Sequence, residues 1–193
     1  MKKIIALALC LMMMCGAALA ETAEKETMGT LTVGGNFQIK CRIPDGYKMN
    51  ILDANSTSVL AVVASEAENT PHITVSVAFN EEYTEFDEAT GDSKALKLND
   101  VSDEVMEEIK ASFLDNMLDA EFEEKETAYG TKLLVVKGHV DEESSIVDFY
   151  SIYNSYEVEV IATMGQDAEN GILSEEQIQM VVDFLSEMDF VAM

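Results

Sequence analysis

Phe37, Ile39, Cys41 and Ile43 alternate with Gln38, Lys40 and Arg42, and the run stops at Pro44-Asp45-Gly46. Side chains on a strand point to opposite faces with a period of two, so these seven residues read as a half-buried strand. The three that follow read as a turn, in which proline presets its dihedral and glycine supplies the freedom to close. The period then recurs. Tyr47, Met49 and Ile51 alternate, as do Ile73, Val75, Val77 and Phe79 with His72, Thr74, Ser76 and Ala78. Ser58 to Ala64 is apolar on both faces, as expected of a more central strand. Leu31 and Val33 begin a short strand ahead of Gly34-Gly35. A chain that turns so soon after each strand builds an antiparallel sheet, and the many adjacent strands argue against a doubly wound parallel one.

The period changes after Phe79. Residues 81–100 are acidic and irregular, with room for one helical turn. From about Ser102 to Leu118, Val105, Met106, Ile109, Phe113, Met117 and Leu118 recur at helical spacing, which predicts an amphipathic helix lying on the sheet. Strands return at Phe122, at Leu133 to Val140, and at Ile146 to Tyr153 and Tyr156 to Met164, the last two forming a hairpin around Asn154-Ser155. Ser174 with Gln177 three residues on is a capping box. It opens a closing helix faced by Ile178, Val181, Val182, Leu185 and Met188. The fold expected is α+β: an antiparallel β-sheet with flanking helices, in a single domain over residues 30–193.

The first residues are read as an address. Lys2-Lys3, an apolar run from Ile4 to Met14 and Ala18-Leu19-Ala20 make a secretory signal peptide over residues 1–20, cleaved after Ala20. Cys10 follows Leu9 and Cys15 follows Met14, so neither has the small neighbour an acylated cysteine needs. No later segment is long and apolar enough to span a bilayer. The expected location is periplasmic, cell-wall-associated or extracellular. Residues 21–29 are polar and aperiodic and read as a flexible leader.

Cleavage leaves ten basic residues against 37 acidic ones, a net charge of −27. Such a surface repels phosphate backbones, so nucleic acid is not an expected partner. It favours cationic partners, and the expectation is a protein with a basic surface. Cys10 and Cys15 leave with the signal, so Cys41 has no partner for an internal disulfide and is expected to sit buried as a small hydrophobe.

The stretch Phe37-Gln38-Ile39-Lys40-Cys41-Arg42-Ile43-Pro44-Asp45-Gly46-Tyr47 resembles the opening of the PsbP-like group. The middle helix, the paired late strands and the closing helix near Met188-Asp189-Phe190 are similar too. Tyr47 stands where tryptophan is common in that group. The resemblance implies an α/β/α sandwich and a non-catalytic role. Members include extrinsic subunits of photosynthetic complexes, small-GTPase binders and secreted bacterial proteins. The signal is of bacterial type, and no functional residue carries over.

Three functions remain open. The leading expectation is an exported, non-enzymatic protein-interaction module. The second is a calcium-binding or calcium-stabilised module, because hard cations bind clustered carboxylate oxygens and the stretch from Glu81 to Asp92 supplies them. Its candidate ligands are Glu85, Asp87 and Asp92, although their spacing is not that of an EF-hand. The third is a hydrolase that assembles Ser93 or Cys41 with His72 or His139. Gly91-Asp92-Ser93 lacks the glycine-flanked nucleophile elbow.

Overall fold

The alternation at Phe37–Ile43 becomes strand β2 of a small sheet, with Phe37, Ile39, Cys41 and Ile43 all buried. The structure, a computed structural model, describes residues 27–165 and 168–193; the expected signal peptide over residues 1–20 and residues 21–26 lie outside the described residues. Strand β1, Thr27–Val33, pairs antiparallel with β2, so the strand begins inside the stretch expected to be leader. The turn between them uses Gly34 and Gly35 at φ of 58° and 73°. A side chain at Gly34 would run into the carbonyl of Ser56.

The large sheet has seven strands, all antiparallel. Its first half is β3 (Tyr47–Ala54), β4 (Ser58–Ser65) and β5 (Pro71–Phe79). The acidic stretch after β5 is more regular than its composition suggests. Glu81–Tyr83 makes a turn of 3₁₀ helix, and β6 (Thr84–Phe86) pairs with β7 (Ser93–Ala95) as a two-stranded hairpin. Helix α1 (Asp103–Leu114) follows, then β8 (Asp119–Glu126), β9 (Lys132–Asp141), β10 (Ser144–Tyr153) and β11 (Tyr156–Met164). The spatial order is β3-β4-β5-β11-β10-β9-β8, so β11 joins the two halves by pairing with β5.

Helix α1 ends four residues before Leu118, the expected end. Asn116 Nδ2 donates to the Ser112 carbonyl at 2.6 Å, and Leu118 N donates to the His139 carbonyl at 2.7 Å. These bonds satisfy the helix end and pull the chain into the sheet. Leu118 is therefore exposed, not on a helical core face.

Helix α2 (Glu175–Ser186) starts where the capping box places it. Ser174 Oγ accepts from Gln177 N at 3.2 Å, and Gln177 Oε1 accepts from Ser174 N at 2.8 Å. The helix does not continue through Met188-Asp189-Phe190. Residues Asp189–Ala192 form strand β12, which pairs with the other edge of β2. Met188 packs into the core from just past the helix end.

The layers follow from these faces. Under one side of the large sheet, Val75, Val77, Phe149, Val158 and Val160 meet the small sheet and α2 residues Val181, Phe184 and Leu185 in the main core. Phe37 is fully buried there, and its ring stacks on Tyr156 at 4.7 Å. On the other side, α1 places Ile109 and Phe113 over Leu134, Val136, Tyr150 and Ile152. No helix among the described residues is long and apolar enough to cross a membrane.

Candidate functional site

Three places gather polar or charged side chains: a groove beside α2, the acidic hairpin, and a buried cluster inside the large sheet.

The groove runs between the β2–β3 turn and α2, with a volume of about 400 Å³. Ile43, Pro44, Met180 and Phe184 supply apolar lining. Asp45, Glu176, Asp183 and Glu187 supply four carboxylates and Arg42 one guanidinium, so the lining carries a net charge of −3. Glu176, Asp183 and Glu187 fall seven and four residues apart, which puts them on one face of the helix. Asp183 accepts a 2.7 Å bond from Gln179 Nε2. The last turn of α2 holds no basic residue, and Glu187 is its C-cap. Like charges four apart cost a helix about 0.2–0.5 kcal/mol, and the negative end of its dipole adds to that cost.

The candidate calcium ligands do not converge as ligands. Asp87 caps the β6–β7 turn, its Oδ1 accepting from Ala89 N at 2.8 Å and Thr90 N at 3.4 Å. The Ala89 amide leads the contacts that hold its carboxyl below the usual range. Glu85 sits on β6 opposite Lys94. Asp92 is exposed, and its backbone carbonyl accepts from Asp87 N at 2.9 Å. Among the described residues, no group of three or more His, Cys, Asp or Glu side chains is placed to hold a metal ion.

The hydrolase candidates are spread over three sheets. Cys41 is on β2, facing the core, where its Sγ lies 3.9 Å from the Gly29 carbonyl and burial pushes the thiol up to about 12. Ser93 is on β7, in the small hairpin. His72 and His139 lie on β5 and β9, with β11 and β10 between them. His139 Nδ1 lies 3.1 Å from Asp119 Oδ1.

The buried cluster was not foreseen. The β10–β11 register sets Tyr150 opposite Glu159, Ile152 opposite Glu157 and Asp148 opposite Ile161, which brings three carboxyls and a tyrosine to one face. Asp148 is 2 % exposed, Glu159 7 % and Glu157 8 %. Tyr150 donates to Glu157 Oε1 at 2.7 Å, and its hydroxyl lies 3.1 Å from that of Tyr83. Desolvation, followed by the Glu159 charge, holds Asp148 protonated well above the usual carboxyl range. Desolvation also lifts Glu159 to about 7, against a bond from Asp148 that lowers it. Asp148 Oδ1 and Thr74 Oγ1 have no hydrogen-bond partner among the described residues. The network ties the segment after β5 to the sheet. Ser155, held at φ of 64°, reinforces the tie by donating from Oγ to the Tyr83 carbonyl at 2.7 Å. None of these groups lines the groove.

A period-two reading of β10 and β11 would have placed Asp148, Tyr150, Glu157 and Glu159 on a common face, because Asn154-Ser155 fixes the hairpin register. The groove had no such signal, since its walls come from residues more than a hundred positions apart. No family model, curated protein or solved structure matches this chain.

Proposed function

We propose that this chain is an exported, non-enzymatic acidic protein that binds a protein with a basic surface, in the cell envelope or outside the cell. The observation that carries the reading is where the carboxylates sit. They face solvent on α1 (Asp103, Glu104, Glu107, Glu108), on α2 (Glu175, Glu176, Asp183) and along the sheet edge β8 (Glu121, Glu123, Glu124, Glu126). The ion pairs that form among the described residues of these elements, such as Lys110–Glu107 and Lys132–Glu124, are solvent-exposed on the carboxylate side. Such a field steers a cationic partner and raises its association rate. A PsbP-like sandwich is the fold we propose with it, in keeping with one helix on each side of an antiparallel sheet.

The test is crosslinking capture on the host's envelope and culture fluid at low and high salt. A single basic protein recovered at low salt and lost at high salt is the expected result. Recovery of no protein at either salt overturns the reading.

A further inference from the structure

We infer that the groove between the β2–β3 turn and α2 receives a lysine- or arginine-bearing segment of the partner protein, which lays an apolar side chain on Pro44 and Met180. The inference rests on the function proposed above and gives it an address.

Charge is the first argument. Glu176, Asp183 and Glu187 form a row on α2, with about 10 Å of helix axis between the first two and about 6 Å between the last two. Asp45 stands in the opposite wall, and among the described residues Arg42 is the one cation in the lining. An extended segment advances about 3.3 Å per residue, so basic side chains at alternate or third positions meet that row in step.

Shape is the second argument. The lining is not uniformly polar, because Ile43 and Phe184 are buried while Pro44 and Met180 are half-buried. An apolar anchor ringed by complementary charge is how compact interfaces are built.

Helix energetics is the third. Asp183 and Glu187 repel each other at the negative end of α2, whose last turn carries no basic residue of its own. A bound cation removes that cost, so the helix itself favours the complex.

The experiment uses isotope-labelled protein produced from the full chain, titrated with the peptide acetyl-Lys-Leu-Lys-Lys-Leu-Lys-amide and followed by amide chemical shifts. Two double variants carry the same change of charge: Asp183→Lys with Glu187→Lys in the groove, and Glu104→Lys with Glu108→Lys on α1. The expected result is a set of shifts confined to residues 42–45 and 176–187. The groove variant should lose about tenfold or more in affinity and the α1 variant less than about twofold. A peptide with glycine for both leucines should bind about fivefold more weakly. The groove variant sets two cations in place of two anions at the negative end of the α2 dipole, so its melting temperature should not fall, and weak binding by it cannot be blamed on unfolding. Equal losses in both variants, shifts spread over α1 and β8, or no binding at all would overturn the groove. Salt-sensitive capture of a native partner would still stand in those cases, and its absence would sink the broader function instead.

Discussion

Glu159 makes the stability of this protein fall as pH rises through neutrality. Its carboxyl is lifted from 4.5 to about 7, first by burial beneath the α1 side of the sheet. A raised carboxyl pKa means the folded chain holds the proton more tightly than the unfolded chain does. The contribution is therefore complete below about 4.5 and is lost as pH climbs through about 7. A shift of that size is worth about 3 kcal/mol, or about 10 °C in melting temperature for a chain of this length. Asp148, raised as well, adds to the loss at higher pH. Glu159→Gln replaces the titrating group with a neutral one of the same shape. Chemical denaturation between pH 5 and 8.5 should show the parent losing stability and the variant holding most of it. The variant should be the more stable of the two at pH 8.5, with any remaining slope removed by adding Asp148→Asn. A parent whose stability is flat or rises over that range, or a Glu159→Gln variant with the full slope, would refute the reasoning. The acid limb is separate. Asp87, Asp100, Asp119 and Asp141 are held low chiefly by backbone N–H groups, so their contribution is present above about 3.8 and is lost as pH drops below it.

Tyr150→Phe leaves Glu157 without its donor in the interior, and equilibrium unfolding should show a cost of about 1–3 kcal/mol; a change within error would mean that the tyrosine bond does not hold the layer. Cys41 should fail to react with a thiol reagent at pH 8 in the folded protein and react fully in denaturant, because burial keeps it protonated and sealed. Fast labelling under native conditions would contradict the core placement. Millimolar calcium should leave the melting temperature within about 1 °C, since the Asp87 carboxylate is already engaged with its own turn. A larger rise that disappears when Asp87 and Asp92 become Asn would restore the calcium reading.

Strands with a strict period of two were legible because alternation and burial are one fact: Phe37 to Ile43 and Ile73 to Val77 needed no partner to be recognised. The capping box at Ser174 and Gln177 likewise located α2 from two side chains. What failed lay at element ends. Leu118 and Met188 fit a helical stripe, but the stripe does not register that His139 captures the amide of Leu118, or that β2 has an open edge for Asp189–Ala192. The β6–β7 hairpin hid because three-residue strands are too short to show a period. The groove was illegible in principle, since Arg42 and Asp45 meet Glu176 and Asp183 only after the small sheet and α2 have packed.

The place of β11 in the sheet has a consequence in time. Strands β3, β4 and β5 can pair with one another as soon as they are made, but the neighbour of β5 is a strand that starts at Tyr156. The small sheet waits longer still, for Asp189 to Ala192. Contacts this far apart in sequence are slow to form. A chain released or arrested before Tyr156 holds two blocks of three strands with a strand-wide gap between them, and neither block can bury its inner edge. Synthesis must be nearly complete before the molecule can commit to its final form.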